Sequence, residues 1–104
     1  MVKAVIGSAV RKARILLFER FLMLRLKYFA SVREAVGVAG EDVSFVENET
    51  VEQLIHRLSN KYLEAKAQLL DGALRAAVNQ KLVEKNKRLC DGDEVAFFPP
   101  VTGG

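Results

Sequence analysis

The chain has 104 residues, of which half are hydrophobic and 28% are charged, as expected for a single globular domain with a modest core. Its formal net charge of +3 is unevenly distributed, because residues 1–22 hold five basic residues and one acidic residue, whereas residues 23–104 hold 11 and 12. A nearly neutral body without a basic stripe argues against nucleic-acid binding. The single cysteine, Cys90, excludes an internal disulfide and a cysteine-only zinc site, so the expected compartment is the reducing cytoplasm.

Residues 1–22 are interpreted as an N-terminal extension that precedes one domain over residues 23–104. Arg11, Lys12 and Arg14 interrupt its apolar run well short of the roughly 20 residues that a membrane span needs, so no membrane association is expected. We favour a translation start at Met23, with an amphipathic appendage or a targeting peptide as alternatives. Its apolar residues could line one face of a helix: Val2, Val5, Ile6, Ala9, Ala13, Leu16 and Leu17.

The first half of the domain has the pattern of two strands separated by a short helix. Leu24, Leu26 and Tyr28 alternate with Arg25, Lys27 and Phe29, which is the period of a half-buried strand. Ser31 is the predicted N-cap of a helix that runs through Val36 and is ended by Gly37 and Gly40. Alternation over residues 43–46 predicts a second strand, antiparallel to the first.

The main helix is predicted to begin after Thr50. Thr50 and Gln53 have the spacing of a capping box, in which each side chain bonds the other residue's backbone N–H. His56 falls on the polar face and is expected to be a surface residue without metal-ligand neighbours. The apolar residues that follow the helical period are Val51, Leu54, Ile55 and Leu58.

The second half is predicted to add a less regular helical stretch over residues 62–70 and three further strand segments. The segments cover residues 74–78, 82–84 and 94–98, with turns at 79–81 and 91–93. The pattern as a whole predicts an α+β fold, in which a mostly antiparallel sheet is covered on one face by the main helix.

The final strand places Val95 and Phe97 on one face and Ala96 and Phe98 on the other. If Val95 and Phe97 face the helix, Phe98 faces outward. A lone exposed aromatic residue is common. Together with Leu82 and Phe29, however, Phe98 would form an apolar patch suited to docking another protein.

The chain ends in Gly103-Gly104, reached through Pro99 and Pro100. Glycines without Cβ atoms can enter a narrow channel in extended form, and the two prolines stiffen the approach. The pattern therefore predicts a terminal carboxylate held away from the body for activation by another protein. A frayed terminus is the alternative.

Three segments of the chain closely resemble the small, sulfur-carrying subunits of molybdopterin synthases. They are residues 24–34, residues 77–83 and residues 89–104, the last of which includes Phe-Phe-Pro-Pro-Val-Thr-Gly-Gly. The resemblance extends over residues 23–104. It implies a ubiquitin-like β-grasp fold, with the first and last strands adjacent and parallel and a flexible Gly-Gly tail.

The resemblance also implies a function for the tail. Gly104 would be adenylated by a ubiquitin-activating-like adenylyltransferase that uses ATP, converted to a thiocarboxylate by a sulfur donor protein, and used to sulfurate cyclic pyranopterin monophosphate. Val101, Thr102 and Gly103 would insert into the large catalytic subunit of the synthase, with Phe98, Leu82 and Phe29 as contacts. The chain itself would be non-catalytic and hold no cofactor or metal, and it has no Gly-rich phosphate loop for ATP.

Other functions remain compatible with the same tail. A β-grasp carrier for thiazole synthesis or transfer-RNA thiolation would use the same chemistry, and a protein modifier would join Gly104 to lysines. An inert tail on a binding module is a further alternative. Cys90 has no CxxC partner or neighbouring base, so we expect a packed or half-exposed thiol rather than the sulfur carrier.

Overall fold

The computed structural model describes residues 22–100, which form one five-stranded sheet with helices on one face. In chain order the elements are β1 (Met23–Tyr28), α1 (Ala30–Val36), β2 (Gly40–Ser44), α2 (Val51–Lys61), a 3-10 turn (Leu63–Ala65), α3 (Lys66–Leu69), β3 (Arg75–Val78), β4 (Lys81–Val83) and β5 (Glu94–Phe98). The strand order is β2-β1-β5-β3-β4. Only β1 and β5 pair in parallel, and the other neighbours in this sheet are antiparallel.

The parallel pair lies at the centre of the sheet, so the last strand is held between the first strand and β3. Leu26 is the register partner of Val95, and Tyr28 is the partner of Phe97; all four side chains are buried. This arrangement confirms the predicted ubiquitin-like β-grasp fold and its predicted parallel contact between first and last strands. It places the C-terminal end of β5 next to the end of β1.

The main helix α2 begins with the predicted capping box. The Thr50 hydroxyl accepts a hydrogen bond from the Gln53 backbone N–H at 3.2 Å, and the Gln53 side-chain oxygen accepts one from the Thr50 N–H at 2.9 Å. His56 is exposed, as predicted. The apolar face packs onto the sheet through Val51, Leu54, Ile55 and Leu58, each buried. The irregular stretch predicted over residues 62–70 is confirmed as the 3-10 turn followed by α3.

Two predictions about the first half were wrong. Ser31 is not the N-cap of α1, because the helix begins at Ala30 and Phe29 is the N-cap residue, without a side-chain cap hydrogen bond. The chain passes directly from the sheet into the helix there: the Phe29 N–H donates to the Phe97 carbonyl, and the Phe29 carbonyl accepts from Val32. Gly37, with φ of 92°, does end the helix as predicted.

The second strand begins at Gly40 and ends at Ser44, earlier than the predicted residues 43–46. The cause is pairing with β1, which matches Lys27 to Gly40 and Met23 to Ser44. Gly40 does not act as a breaker, because the two backbones approach so closely here that a Cβ on Gly40 would lie 2.6 Å from the Leu26 carbonyl oxygen. A local composition rule could not detect this contact.

Predictions for residues 1–21 and for the tail residues Val101, Thr102, Gly103 and Gly104 lie outside the described part of the chain. Within residues 22–100, no helix is both long enough and apolar enough to cross a membrane.

Candidate functional site

The candidate site is the sheet face opposite the helices, at the C-terminal end of β5. Val95 and Phe97 are fully buried against the helices, whereas Ala96 and Phe98 face the other way and are partly exposed. The predicted orientation of the last strand is therefore confirmed. Phe98 is the last residue of β5, and Pro99 and Pro100 continue the chain from this point, so the tail departs from the same end of the face.

The other two residues of the predicted patch are also on this face. Phe29 is 47% exposed and Leu82 is 63% exposed. The Phe29 N–H donates to the Phe97 carbonyl at 3.1 Å, which places Phe29 beside the end of β5. Leu82 lies two strands from β5, about 10 Å away at the usual strand spacing. The structure thus separates Leu82 from the two phenylalanines by the width of β3.

Two alanines fill that interval, and sequence inspection did not identify them. Ala77 on β3 is the register partner of both Leu82 and Ala96. The signal was available, because burial of Leu74, Ala76 and Val78 requires Ala77 to face outward. We call the resulting surface the outer stripe, and it consists of Phe29, Phe98, Ala96, Ala77 and Leu82. Its centre is flat and its two ends project, a shape that lets a partner's backbone approach closely.

Asn79 fixes the hairpin that carries Leu82. Asn79 and Gln80 have φ values of 50° and 70°, the left-handed pair that a tight hairpin turn requires. The Asn79 side-chain N–H donates to Asp93 at 2.9 Å, and its side-chain oxygen accepts from the Glu94 N–H at 3.0 Å. These bonds attach the β3–β4 turn to the start of β5, so Leu82 is held in a set position relative to Phe98.

A partly buried polar cluster supports the other end of the outer stripe. The Glu41 carboxylate accepts hydrogen bonds from the Tyr28 hydroxyl at 2.8 Å, the Tyr62 hydroxyl at 2.5 Å and the Lys61 ammonium at 2.7 Å. It thereby joins β1, β2 and the C-terminal end of α2. We call these four residues the Glu41 cluster. Tyr28 immediately precedes Phe29, so the cluster fixes the backbone at the Phe29 end of the outer stripe.

The cluster alters the pKa of its members. Burial disfavours the charge on Glu41, but hydrogen bonds from Lys61, Tyr62 and Tyr28 outweigh it and hold the Glu41 pKa below its ordinary value. Burial, then the hydrogen bond to Glu41, raises the pKa of Tyr28 far above its ordinary value. Glu41 is therefore ionised and both tyrosines are neutral donors at neutral pH. Nothing in the local sequence pattern linked these residues.

Metal-ligand groups and Cys90 were the other candidate features of the described residues. No group of three or more His, Cys, Asp or Glu residues within 22–100 could hold a metal ion. Cys90 is exposed rather than packed, and its backbone N–H donates to the Asp93 carboxylate at 2.7 Å.

Comparison with known proteins agrees with this description. The chain is 48% identical over 82 residues to the molybdopterin synthase sulfur carrier subunit of Escherichia coli (strain K12), covering 79% of this chain and 100% of that relative. The crystal structure of SAMP1 from Haloferax volcanii has the same fold, with a TM-score of 0.69 at 24% identity, covering 79% of this chain and 99% of that one.

A third similarity is to a chain in the complex of subunits 1 and 2 of the molybdopterin-converting factor from Helicobacter pylori 26695. Its TM-score is 0.54 at 21% identity, covering 80% of this chain and 100% of that one, so it too has this fold. The family model described as the ThiS family matches residues 26–104, most of the chain. The chain therefore belongs to the ThiS family.

Proposed function

We propose that this chain is the sulfur-carrier subunit of a molybdopterin synthase and that Gly104 carries the sulfur. The observation that supports this most strongly is the 48% identity over the full length of the Escherichia coli molybdopterin synthase sulfur carrier subunit. The Gly103-Gly104 terminus supplies the group that such a carrier needs. The subunit is not itself catalytic: it delivers a reactive group to another protein.

The chemistry begins with a carboxylate, which is a poor acyl donor because its oxygen is a poor leaving group. In the proposed first step the Gly104 carboxylate attacks the α-phosphorus of ATP, bound by a separate ubiquitin-activating-like adenylyltransferase, and displaces pyrophosphate. The outer sulfur of a persulfide on a donor protein then attacks the acyl carbon and displaces AMP, which leaves an acyl disulfide. A thiol cleaves the S–S bond of this acyl disulfide and is itself oxidised to a disulfide with the donor, and the product is a C-terminal thiocarboxylate.

The second stage is transfer to cyclic pyranopterin monophosphate in the large catalytic subunit. In each transfer the thiocarboxylate sulfur replaces an oxygen substituent on a substrate carbon: the C–S bond forms, the C–O bond breaks, and the oxygen leaves as phosphate oxygen or water. Water then hydrolyses the resulting thioester, which returns the Gly104 carboxylate and leaves sulfur on the substrate. Two such transfers complete a dithiolene. Val101, Thr102 and Gly103 are proposed to occupy the channel that admits the tail, where the absence of a Cβ at residues 103 and 104 permits a narrow fit.

Docking on the large subunit is proposed to use the outer stripe. Phe98 and Phe29 lie where Pro99 and Pro100 lead into the tail, and Leu82 is exposed on the far side of Ala96 and Ala77. Exposed apolar residues grouped around a functional terminus are typical of protein interfaces. The assembly of subunits 1 and 2 named for the Helicobacter pylori relative supports a partner of this kind.

The test is an intact-mass measurement after reaction with ATP, the adenylyltransferase and a sulfur donor. We expect a mass increase equal to the replacement of one oxygen by one sulfur, located at Gly104 by fragmentation. A chain lacking Gly104 should show no such increase but should keep the circular dichroism and melting temperature of the full chain. A Cys90→Ser chain should be sulfurated normally.

Three results would contradict the proposal. Normal sulfur loading of the chain lacking Gly104 would exclude the tail as the carrier. Failure of the thiocarboxylated chain to convert cyclic pyranopterin monophosphate with the large subunit would favour thiazole or transfer-RNA thiolation. Gly-Gly remnants on lysines of other proteins, without any thiocarboxylate-dependent conversion, would indicate a protein modifier.

A further inference from the structure

The two edges of the sheet carry opposite charge. At one edge, β2 contains Glu41 and Asp42 and no basic residue. At the other edge, β3 and β4 contain two basic residues and no acidic one, and residues 84–88, which follow β4 and run beside the start of α2, add three basic residues and Glu84. The basic residues are Arg75, Lys81, Lys85, Lys87 and Arg88. The whole-chain charge does not reveal this separation.

Both acidic residues of β2 are paired within the chain. Glu41 pairs with Lys61 at 2.7 Å. Asp42 lies 3.7 Å from Arg25. The basic edge differs, because none of its five cations forms a salt bridge with any residue of the described range 22–100. Positive charge is thus left available on one side of the molecule.

Two of these cations line a surface groove next to the outer stripe. The groove has a volume of about 410 Å³ and is lined by two segments, residues 72–76 and residues 82–85. Arg75 and Lys85 contribute its charge, and Lys85 Nζ is positioned by donating to the Gly72 carbonyl at 3.1 Å. Leu82 forms part of the wall, and Arg75 is the register partner of Phe98, so groove and stripe are continuous.

We infer that this groove, named the Arg75 groove, binds an acidic segment of the large synthase subunit and sets the orientation in which the carrier docks. The inference rests on the proposed function. A carboxylate-bearing segment fits because Arg75 and Lys85 both line the groove, in which Glu84 is the one acidic lining residue. The adjoining Leu82 favours a protein partner, since protein interfaces combine an apolar centre with a polar and charged rim.

Such a contact at the edge of the docking surface is expected to change the rate of association and the orientation in which the carrier binds. Exposed charges beside an apolar docking area attract complementary charges and raise the rate of encounter, and salt screens this attraction. The outer stripe would supply most of the contact energy, while the Arg75 groove would decide which way the carrier lies on its partner. That orientation matters because the tail leaves from one end of the stripe.

The test compares Arg75→Glu, Lys85→Glu and Arg75→Lys chains, with Lys66→Glu as the matched control. Lys66 is exposed, as Arg75 is, but lies in α3, on the helical side of the molecule. Association with the large subunit is measured by surface plasmon resonance at several salt concentrations, beside melting curves. We expect each groove reversal to slow association about 10-fold or more at low salt and to flatten its salt dependence. Arg75→Lys and Lys66→Glu should stay within about 3-fold of the unaltered chain.

Different failures of this experiment have different meanings. If the Arg75→Glu and Lys85→Glu chains associate at the unaltered rate, the inference is wrong while the proposed function stands. If Lys66→Glu slows association as much, a general charge effect replaces the groove. If the unaltered chain does not bind the large subunit, the proposed function fails and the inference fails with it. Binding of a transfer RNA that is lost in Arg75→Glu, with subunit binding unchanged, would assign the groove to nucleic acid.

Discussion

Replacement of Glu41 by glutamine tests whether the Glu41 cluster holds the sheet and the main helix together. The carboxylate accepts from Tyr28, Tyr62 and Lys61, and its side chain is only 16% exposed, so water cannot readily replace these donors. Glutamine has nearly the same shape, but its amide nitrogen cannot accept a hydrogen bond. The substitution therefore changes hydrogen bonding and charge with little change in packing.

The expected cost follows from the number of bonds lost. The glutamine oxygen can keep up to two of the three donors, without charge assistance, and its N–H groups must then face the third. Hydrogen bonds to charged groups contribute about 1.5–3 kcal/mol each, so we expect Glu41→Gln to lower the free energy of unfolding by about 2–3 kcal/mol. Tyr28 is 1% exposed, so Tyr28→Phe in the Glu41→Gln background should recover part of this loss by removing a buried donor.

The loss should depend on pH in a defined direction. Because the folded state holds the Glu41 pKa below its unfolded value, the carboxylate contributes stability that is fully present above the unfolded pKa of about 4.3. That contribution is lost as the pH falls through the folded pKa. The difference between the unaltered and Glu41→Gln chains should therefore be constant at neutral pH and should shrink in more acidic solution.

Urea unfolding at pH 7 and at steps down to about pH 3 measures both effects. Asp42→Asn is the matched control: it removes one negative charge from the same strand, but its pair with Arg25 is well exposed and should cost less than about 1 kcal/mol. A Glu41→Gln chain within about 0.5 kcal/mol of the unaltered protein would refute the argument. So would a larger loss that does not change with pH.

Two further substitutions test the docking face and the sheet. Phe98→Ala should weaken binding to the large subunit by about 1–3 kcal/mol, measured by calorimetry, with little effect on the melting curve. Phe97→Ala should instead lower the free energy of unfolding by about 3–5 kcal/mol, because Phe97 is fully buried. The reverse pattern would show that Phe98 faces the core and Phe97 the solvent. Gly40→Ala should lower the free energy of unfolding by about 1–3 kcal/mol, because its Cβ would lie 2.6 Å from the Leu26 carbonyl oxygen. Gly72→Ala is the control, because a Cβ at residue 72 would meet no atom within 4 Å, and it should leave the free energy of unfolding nearly unchanged.

Much of the fold follows from local patterns in the sequence. Side chains alternate between the two faces of β1 and β5, and the capping box of α2 joins residues three positions apart. Because both patterns involve neighbouring residues, the strands, the start of the helix and the buried faces could be predicted. The outward orientation of Phe98 follows from the same parity. The parallel contact of β1 with β5 was not in the pattern and came from the resemblance to a known family.

The errors in the first half have a common cause. Ser31 was a reasonable N-cap by residue type, but the end of β1 is bonded to β5 through Phe29, and this tertiary contact starts the helix at Ala30. Gly40 has the composition of a breaker, but pairing with β1 makes it a strand residue. In both cases a hydrogen bond between distant segments outweighed a local preference.

The sequence alone determined the alternation of faces, the main helix and the chemistry available to the Gly103-Gly104 terminus, because these depend on side chains that are close along the chain. Tertiary structure alone decided which distant groups meet. It brought Glu41 to Tyr28 and Tyr62, and it aligned Ala77 with Ala96 and Leu82 across three strands. It also set Arg75 beside Phe98, since strand register joins residues whose separation in sequence carries no trace of their contact.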